Sequence, residues 1–162
     1  MRAGALLGLI LAAGCSSTGP KSVDRFVGTW TFNSGALDAT CQAPIPPFHS
    51  DLPGQTLTLV KGTSSDLMST LQTMLGSCSL KLTVDGTMAV ADPGQTCTFN
   101  VPVGTSAVAV TVAVTSWTLS TPDGQTLTTT VAGAVTGGLA DGCPVTLSGT
   151  ANKGTVTDAS AG

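Results

Sequence analysis

The residues best suited to chemistry stand together in one short segment. Phe48, His49, Ser50 and Asp51 follow one another, and His49 is the only histidine in the chain. Serine, histidine and aspartate are the residue types of a hydrolase triad, in which the serine reaches one imidazole nitrogen and the aspartate holds the other. Three consecutive side chains in an extended segment diverge, so this spacing predicts an exposed polar turn and no nucleophile.

Few other residues in the chain could act as a general acid or base. All nine acidic residues are aspartate, and the chain has neither glutamate nor tyrosine. Most aspartates stand at turns, where Asp-Gly favours the turn conformation. Asp38 and Asp66 do not, and the sequence shows no partner for either. His49 and Asp51 would give a metal only two ligands, fewer than a protein site needs. The sequence therefore predicts a protein that is not an enzyme and holds no metal and no cofactor.

A different kind of signal lies near the start of the chain. Arg2 precedes a short apolar stretch, which ends in Leu11-Ala12-Ala13-Gly14-Cys15. A basic start, about ten apolar residues and a small-residue cleavage site predict a secretory signal peptide over residues 1–14. The stretch is shorter than the roughly 20 residues that span a membrane.

The cysteine that ends this run resembles the acylated residue in the lipobox of bacterial lipoproteins. The resemblance implies that the signal is removed before Cys15 and that the thiol carries lipid. Two or three acyl chains, at about 0.8 kcal/mol per buried methylene, would hold the protein on a membrane. Ser16 follows the cysteine, which by the enteric sorting rule favours the bacterial outer membrane, facing the periplasm or the cell surface. Residues 15–24 are then a lipidated tether, and an envelope protein is a possible further partner.

Composition limits the fold and the partners. Apolar residues make up 41% of the chain and charged residues 9%, with a net charge of −3. Nucleic acid is excluded as a partner, because its binding needs clustered lysine and arginine. The abundance of threonine and valine favours the half-buried surface of a β-sheet.

Alternating apolar residues predict the strands. Phe26, Gly28, Trp30 and Phe32 share one face, and the same period of two recurs along the chain. Asp85-Gly86 is a hairpin signature, and Gly-Gln-Thr recurs at 54–56, 94–96 and 124–126, each time entering a strand. The apolar parity changes between Val114 and Trp117, which predicts a β-bulge near Thr115-Ser116.

These signals predict an all-β domain over residues 25–157, followed by a disordered tail over 158–162. An antiparallel up-and-down meander of about nine or ten strands, with at most one short helix, avoids exposed edges by closing into a small β-barrel. Residues 43–54 contain four prolines and cannot be a central strand, so we expect a loop across a barrel mouth. Leu67, Leu71 and Leu75 fit a helix or a strand, and the serine and threonine between them favour a strand.

Four more cysteines follow Cys15. Each alternates in step with the apolar residues beside it, so each is predicted to point inward. An even set in an exported domain predicts two disulfides. Three pairings are possible, and we favour Cys41–Cys78 with Cys97–Cys143. Metal binding is disfavoured, because no two of these cysteines have the close spacing of a zinc site.

Several short motifs carry a family resemblance. Gly28-Thr29-Trp30 is similar to the Gly-x-Trp of lipocalins, and also to the first strand of META-domain lipoproteins and small periplasmic protease inhibitors. Lipocalins stack an arginine from the last strand on that tryptophan, and Lys153 is the nearest substitute here. Gly-Thr-Trp-Thr-Phe at 28–32, Cys-Ser-Leu-Lys-Leu at 78–82 and Ser-Trp-Thr-Leu at 116–119 resemble small Thr-rich envelope lipoproteins of myxobacterial type, a family that implies a fold and a location but no activity.

Three functions are compatible with these features. The leading prediction is a non-enzymatic envelope lipoprotein with a structural or adhesive barrel. The first alternative is a lipocalin-like carrier of a small apolar ligand, for which the inward Gly133 and Gly149 would leave room. The second alternative is a protein inhibitor that acts through the Pro-rich loop 43–54. The sequence does not identify ligand-binding residues.

Overall fold

A computed structural model describes residues 22–42, 46–103, 106–137 and 140–154. Cys15, the predicted signal peptide over residues 1–14 and the predicted tail over 158–162 lie outside these residues. The described elements are α1 (Val23–Phe26), β1 (Gly28–Ala39), β2 (Phe48–Asp51), β3 (Thr56–Lys61), β4 (Leu67–Thr73), β5 (Gly76–Asp85), β6 (Met88–Ala91), β7 (Thr96–Val103), β8 (Ser106–Ser120), β9 (Thr126–Thr136) and β10 (Pro144–Lys153).

Eight of the strands form a closed antiparallel barrel. Their order is β1-β3-β4-β5-β6-β8-β9-β10, and β10 pairs back with β1. The two further strands extend this wall: β2 continues the line of β3 along β1, and β7 continues the line of β6 along β8. The predicted all-β meander, closed into a small barrel, is confirmed.

Alternation places the apolar side chains inside. In β5, for example, Leu80, Leu82 and Val84 are buried and the residues between them are exposed. The predicted bulge is confirmed, because the β8–β9 register shifts between Val114 and Ser116. Residues 67–73 form a strand, as the serine and threonine content favours.

The inward glycines are covered by their neighbours. A Cβ atom built on Gly149 would lie 3.2 Å from Phe32 Cδ1 and 3.1 Å from Leu52 Cδ1. On Gly133 it would lie 3.0 Å from Val112 Cγ1. Neighbouring atoms therefore already occupy the space beside these two glycines.

The Gly-x-Trp segment joins β1 to α1. Trp30 is fully buried, and its Nε1–H donates to the carbonyl oxygen of Phe26 at 2.7 Å. Lys153 Nζ lies 5.3 Å from the Trp30 ring centroid and donates to the carbonyl oxygen of Arg25 at 3.2 Å. Lys153 thus lies over the Trp30 ring, the position at which lipocalins have an arginine.

Helix α1 and the preceding Ser22 contact two strand connections and the end of β3 at one end of the barrel. Ser22 Oγ donates to the carbonyl oxygen of Gly86 at 2.9 Å, and Arg25 Nη1 donates to that of Pro122 at 2.9 Å. Asp24 pairs with Lys61, at the end of β3, at 2.7 Å. We call this the closed end. Residues 22–24, which we expected to belong to the tether, are part of the packed domain.

The structure contains two disulfides, as predicted, but the favoured pairing is wrong. Cys41 is bonded to Cys143, and Cys78 to Cys97. The prediction joined cysteines in chain order. Barrel closure instead brings the end of β1 beside the start of β10, where Thr40 N–H donates to the carbonyl oxygen of Pro144 at 3.0 Å.

Candidate functional site

A gap in the barrel wall lies at the end opposite α1. The β3–β4 ladder stops at the pair Thr56 and Gln72, and Met74 and Leu75 form the turn between β4 and β5. Above that turn, the described residues place no strand between β2 on one side and the β7–β8 hairpin on the other. We call this gap the notch. It is an open depression of about 600 Å³, lined by Phe48, His49, Ser50, Asp51, Met74, Leu75, Asn100 and Ala107.

Two similar turns adjoin β2 and β7, the strands on either side of the notch. Residues 53–56 and 93–96 are both Pro-Gly-Gln-Thr, and they connect β2 to β3 and β6 to β7. In each, the glycine has a left-handed φ, +84° at Gly54 and +75° at Gly94, which suits a type II turn with proline before glycine. The first turn separates β2 from β3, which both pair with β1. The second separates β6 from β7, which both pair with β8.

His49 lies between two carboxylates on the outer face beside the notch. Its Nδ1 is 2.6 Å from Asp38 Oδ1, and its Nε2 is 3.4 Å from Asp51 Oδ1. Asp38 and His49 are directly paired across β1 and β2, while Asp51 stands two residues further along β2. Asp38 therefore has a partner that the sequence did not reveal, and residues 48–51 are an edge strand where we expected a polar turn.

Ser50 does not join this cluster. It pairs with the buried Leu37 across the ladder, and successive side chains of a strand point to opposite faces. Its hydroxyl therefore faces the inside of the barrel while the imidazole of His49 faces outward. The side chains diverge as the sequence predicts, so the arrangement is not that of a triad.

The two carboxylates stabilise the charged form of His49. The hydrogen bond with Asp38 raises the pKa of His49 above its ordinary value of 6.5, and the hydrogen bond with Asp51 adds to this increase. Because the pKa is raised in the folded state, the contribution to stability is complete below the unfolded-state value. It is lost as the pH rises through the folded-state value.

We expect Asp38→Asn to lower the pKa of His49 more than Asp51→Asn does, because the Asp38 contact is the shorter and the larger cause. An NMR titration reads this directly, since the chain has one histidine. Asp92→Asn, a substitution away from the notch, should leave the titration unchanged. A wild-type value at or below 6.5, or a larger effect of Asp51→Asn, would contradict the geometry.

The other unexplained aspartate, Asp66, supports the fold. Its Oδ2 accepts a hydrogen bond from Val84 N–H at 2.9 Å. Among the described residues, no group of three histidine, cysteine or acidic side chains could hold a metal ion. No helix in the described ranges has the length and hydropathy needed to cross a membrane.

The chain matches no family model and no curated protein. A solved structure that resembles it is a DUF3598 family protein of unknown function from Nostoc punctiforme PCC 73102. The two are 13% identical with a TM-score of 0.42, and the alignment covers 80% of this chain and 48% of the other. This chain thus spans about half the length of that protein, and so distant a likeness carries no functional argument.

Proposed function

We propose that this chain is a non-enzymatic lipoprotein of the bacterial outer membrane, structural or adhesive in role, which presents the notch as a contact site. The observation that carries this proposal is the position of α1. The chain enters the barrel at Ser22, and α1 covers the end opposite the notch. A lipid on Cys15 would therefore attach the closed end and direct the notch away from the membrane.

The disulfides favour a rigid contact site. Cys41–Cys143 joins the end of β1 to the segment before β10, at the same end of the barrel as the notch. Cys78–Cys97 joins β5 to β7 below the notch. Cross-links placed here hold the strands that line the notch, and a fixed surface binds a partner with less loss of conformational entropy.

The two alternative functions receive less support. A lipocalin-like carrier needs internal space, and the interior at Gly133 and Gly149 is occupied by neighbouring atoms. An inhibitor acting through loop 43–54 needs a protruding segment, whereas residues 48–51 are paired with β1. Both observations favour a packed barrel with a contact site on its rim.

Cys15→Ala should move the protein from the membrane fraction to the soluble fraction, because the thiol that carries the lipid is gone. Intact mass analysis of the wild type should show cleavage before Cys15 and added acyl mass. Ser16→Ala keeps the thiol and should remain membrane-bound. Persistence of residues 1–14 in the mature protein, or a Cys15→Ala variant that stays with the membrane, would refute the anchor.

A further inference from the structure

One edge of β2 faces the notch. Leu52 N–H donates to the carbonyl oxygen of Gly35 at 3.0 Å, and in an antiparallel ladder the residues bonded to the neighbouring strand alternate. Ser50 therefore directs its main-chain groups to β1, while His49 and Asp51 direct theirs to the notch. Gln55 Nε2 already donates to the carbonyl oxygen of Asp51 at 2.5 Å. Among the described residues of β2, His49 is left as the one that can exchange both main-chain hydrogen bonds with an added strand.

The floor of the notch is apolar and adaptable. Met74 is 87% exposed, and Leu75 and Phe48 beside it are half-buried. The main chain is fixed here, since Asn100 N–H donates to the carbonyl oxygen of Leu75 at 2.9 Å. A flexible thioether on a fixed turn can pack against apolar side chains of different shapes.

The rim of the notch is acidic. Asp51 has an 83% exposed side chain, Asp38 lies beside it, and none of the lining residues is lysine or arginine. The described basic residues stand elsewhere: Arg25, Lys61 and Lys153 at the closed end, and Lys81 within β5. Among the described lining residues, those of the β4–β5 turn, β7 and β8 are uncharged, so protonated His49 is the one cation.

We infer that the notch binds an extended, basic segment of a partner protein, which adds as a short strand to the edge of β2. A strand that alternates basic and apolar residues would direct its cations to Asp38 and Asp51 and its apolar side chains to Met74 and Phe48. The notch is a depression open to the outside, whereas small-molecule pockets bury most of the ligand surface. This inference deepens the proposed function, on which it rests for the place where the partner is met.

The state of His49 should set the affinity for such a segment. Its imidazolium occupies the space between the two carboxylates and partly neutralises them. Above the raised pKa of His49 the ring loses its charge, and the two carboxylates are free to attract the cation of the partner. Binding should therefore strengthen as the pH rises through that value, and His49→Ala should remove this dependence.

The first test uses the full-length protein in detergent and a capped, fluorescent pentapeptide, Arg-Val-Arg-Leu-Arg. We expect this peptide to bind and its counterpart with glutamate at the arginine positions not to bind. Combining Asp38→Asn with Asp51→Asn should weaken binding about tenfold, the sum of two exposed charge contacts. Asp85→Asn with Asp92→Asn changes the net charge equally, away from the notch, and should have no effect.

The second test separates strand addition from charge attraction. Methylating one main-chain nitrogen of the peptide removes a donor, and in a strand only every second residue faces the edge of β2. We expect methylation at one set of alternate positions to weaken binding more than methylation at the positions between them. Equal effects at all positions, equal binding of the glutamate peptide, or equally strong binding of n-octylamine would overturn the inference. Because the peptide assay does not depend on acylation, a failure here leaves the anchor at Cys15 intact, and a failure of the anchor leaves the peptide result standing.

Discussion

Replacing both Cys41 and Cys143 by serine should lower the free energy of unfolding by about 4.7 kcal/mol, the chain-entropy value for a loop of roughly 100 residues. The two cysteines are 102 residues apart in the sequence. Replacing Cys78 and Cys97, which are 19 residues apart, should cost about 3 kcal/mol. Both losses are large beside the total stability of a small domain, about 5–15 kcal/mol. Urea unfolding of the two double variants measures them.

A peptide map made without reductant provides the control for this prediction. Fragments that contain Cys41 should be joined to fragments that contain Cys143. If the two double variants lose equal stability, or if the Cys78 variant loses more, the cross-links do not act mainly through the unfolded chain.

Trp30→Ala should lower the free energy of unfolding by about 3–5 kcal/mol, the usual cost of deleting a buried aromatic side chain. Trp30 is fully buried and ties β1 to α1 through the carbonyl oxygen of Phe26. Trp30→Phe keeps most of the apolar volume but removes this donor, so its loss should be smaller, about 1–3 kcal/mol. Denaturant unfolding of both variants gives the comparison.

The matched control for Trp30 is the second tryptophan of the core. Trp117 Nε1–H donates to Thr129 Oγ1 at 2.7 Å, so its hydrogen bond joins β8 to β9, whereas that of Trp30 joins β1 to α1. Trp117→Phe should also destabilise the barrel, but it should leave hydrogen exchange at residues 23–26 unchanged relative to the rest of the domain. Trp30→Phe should speed exchange there. A cost below about 1 kcal/mol for Trp30→Ala would show that α1 does not depend on this contact.

The strands, and the side chains in them that point inward, could be predicted because alternate residues of a strand face opposite sides and only one side is buried. In β5 the sequence Cys78, Leu80, Leu82 and Val84 gives the inward face directly. The same reasoning located the bulge after Val114, since a change of parity within one apolar run requires an extra residue. These are local signals, and they act within one strand or one hairpin.

The contacts across the closed barrel could not be predicted, because they depend on which strands meet after closure. Cys41 lies beside Cys143 only because β1 pairs with β10. Asp38 meets His49 because β1 pairs antiparallel with β2, and the two strands are joined by the segment that contains the prolines. Those prolines predicted a loop, yet the stretch between Pro47 and Pro53 is long enough for an edge strand, where proline is tolerated. The repeated Pro-Gly-Gln-Thr sequence was the signal that one line of strand is divided into two segments, β2 and β3 in one case and β6 and β7 in the other.

The pairing of β1 also determines how the domain would carry mechanical tension. A partner held in the notch and a lipid at the N-terminus would pull along β1, which begins beside α1 and ends near the notch. Such a load acts parallel to the β1–β10 ladder, so its hydrogen bonds would be sheared together and not opened one by one. The Cys41–Cys143 bond lets the far end of β1 pass force directly to β10. If the proposed lipid anchor and partner are both present, this arrangement would let the barrel transmit a pull between them without its strands unzipping.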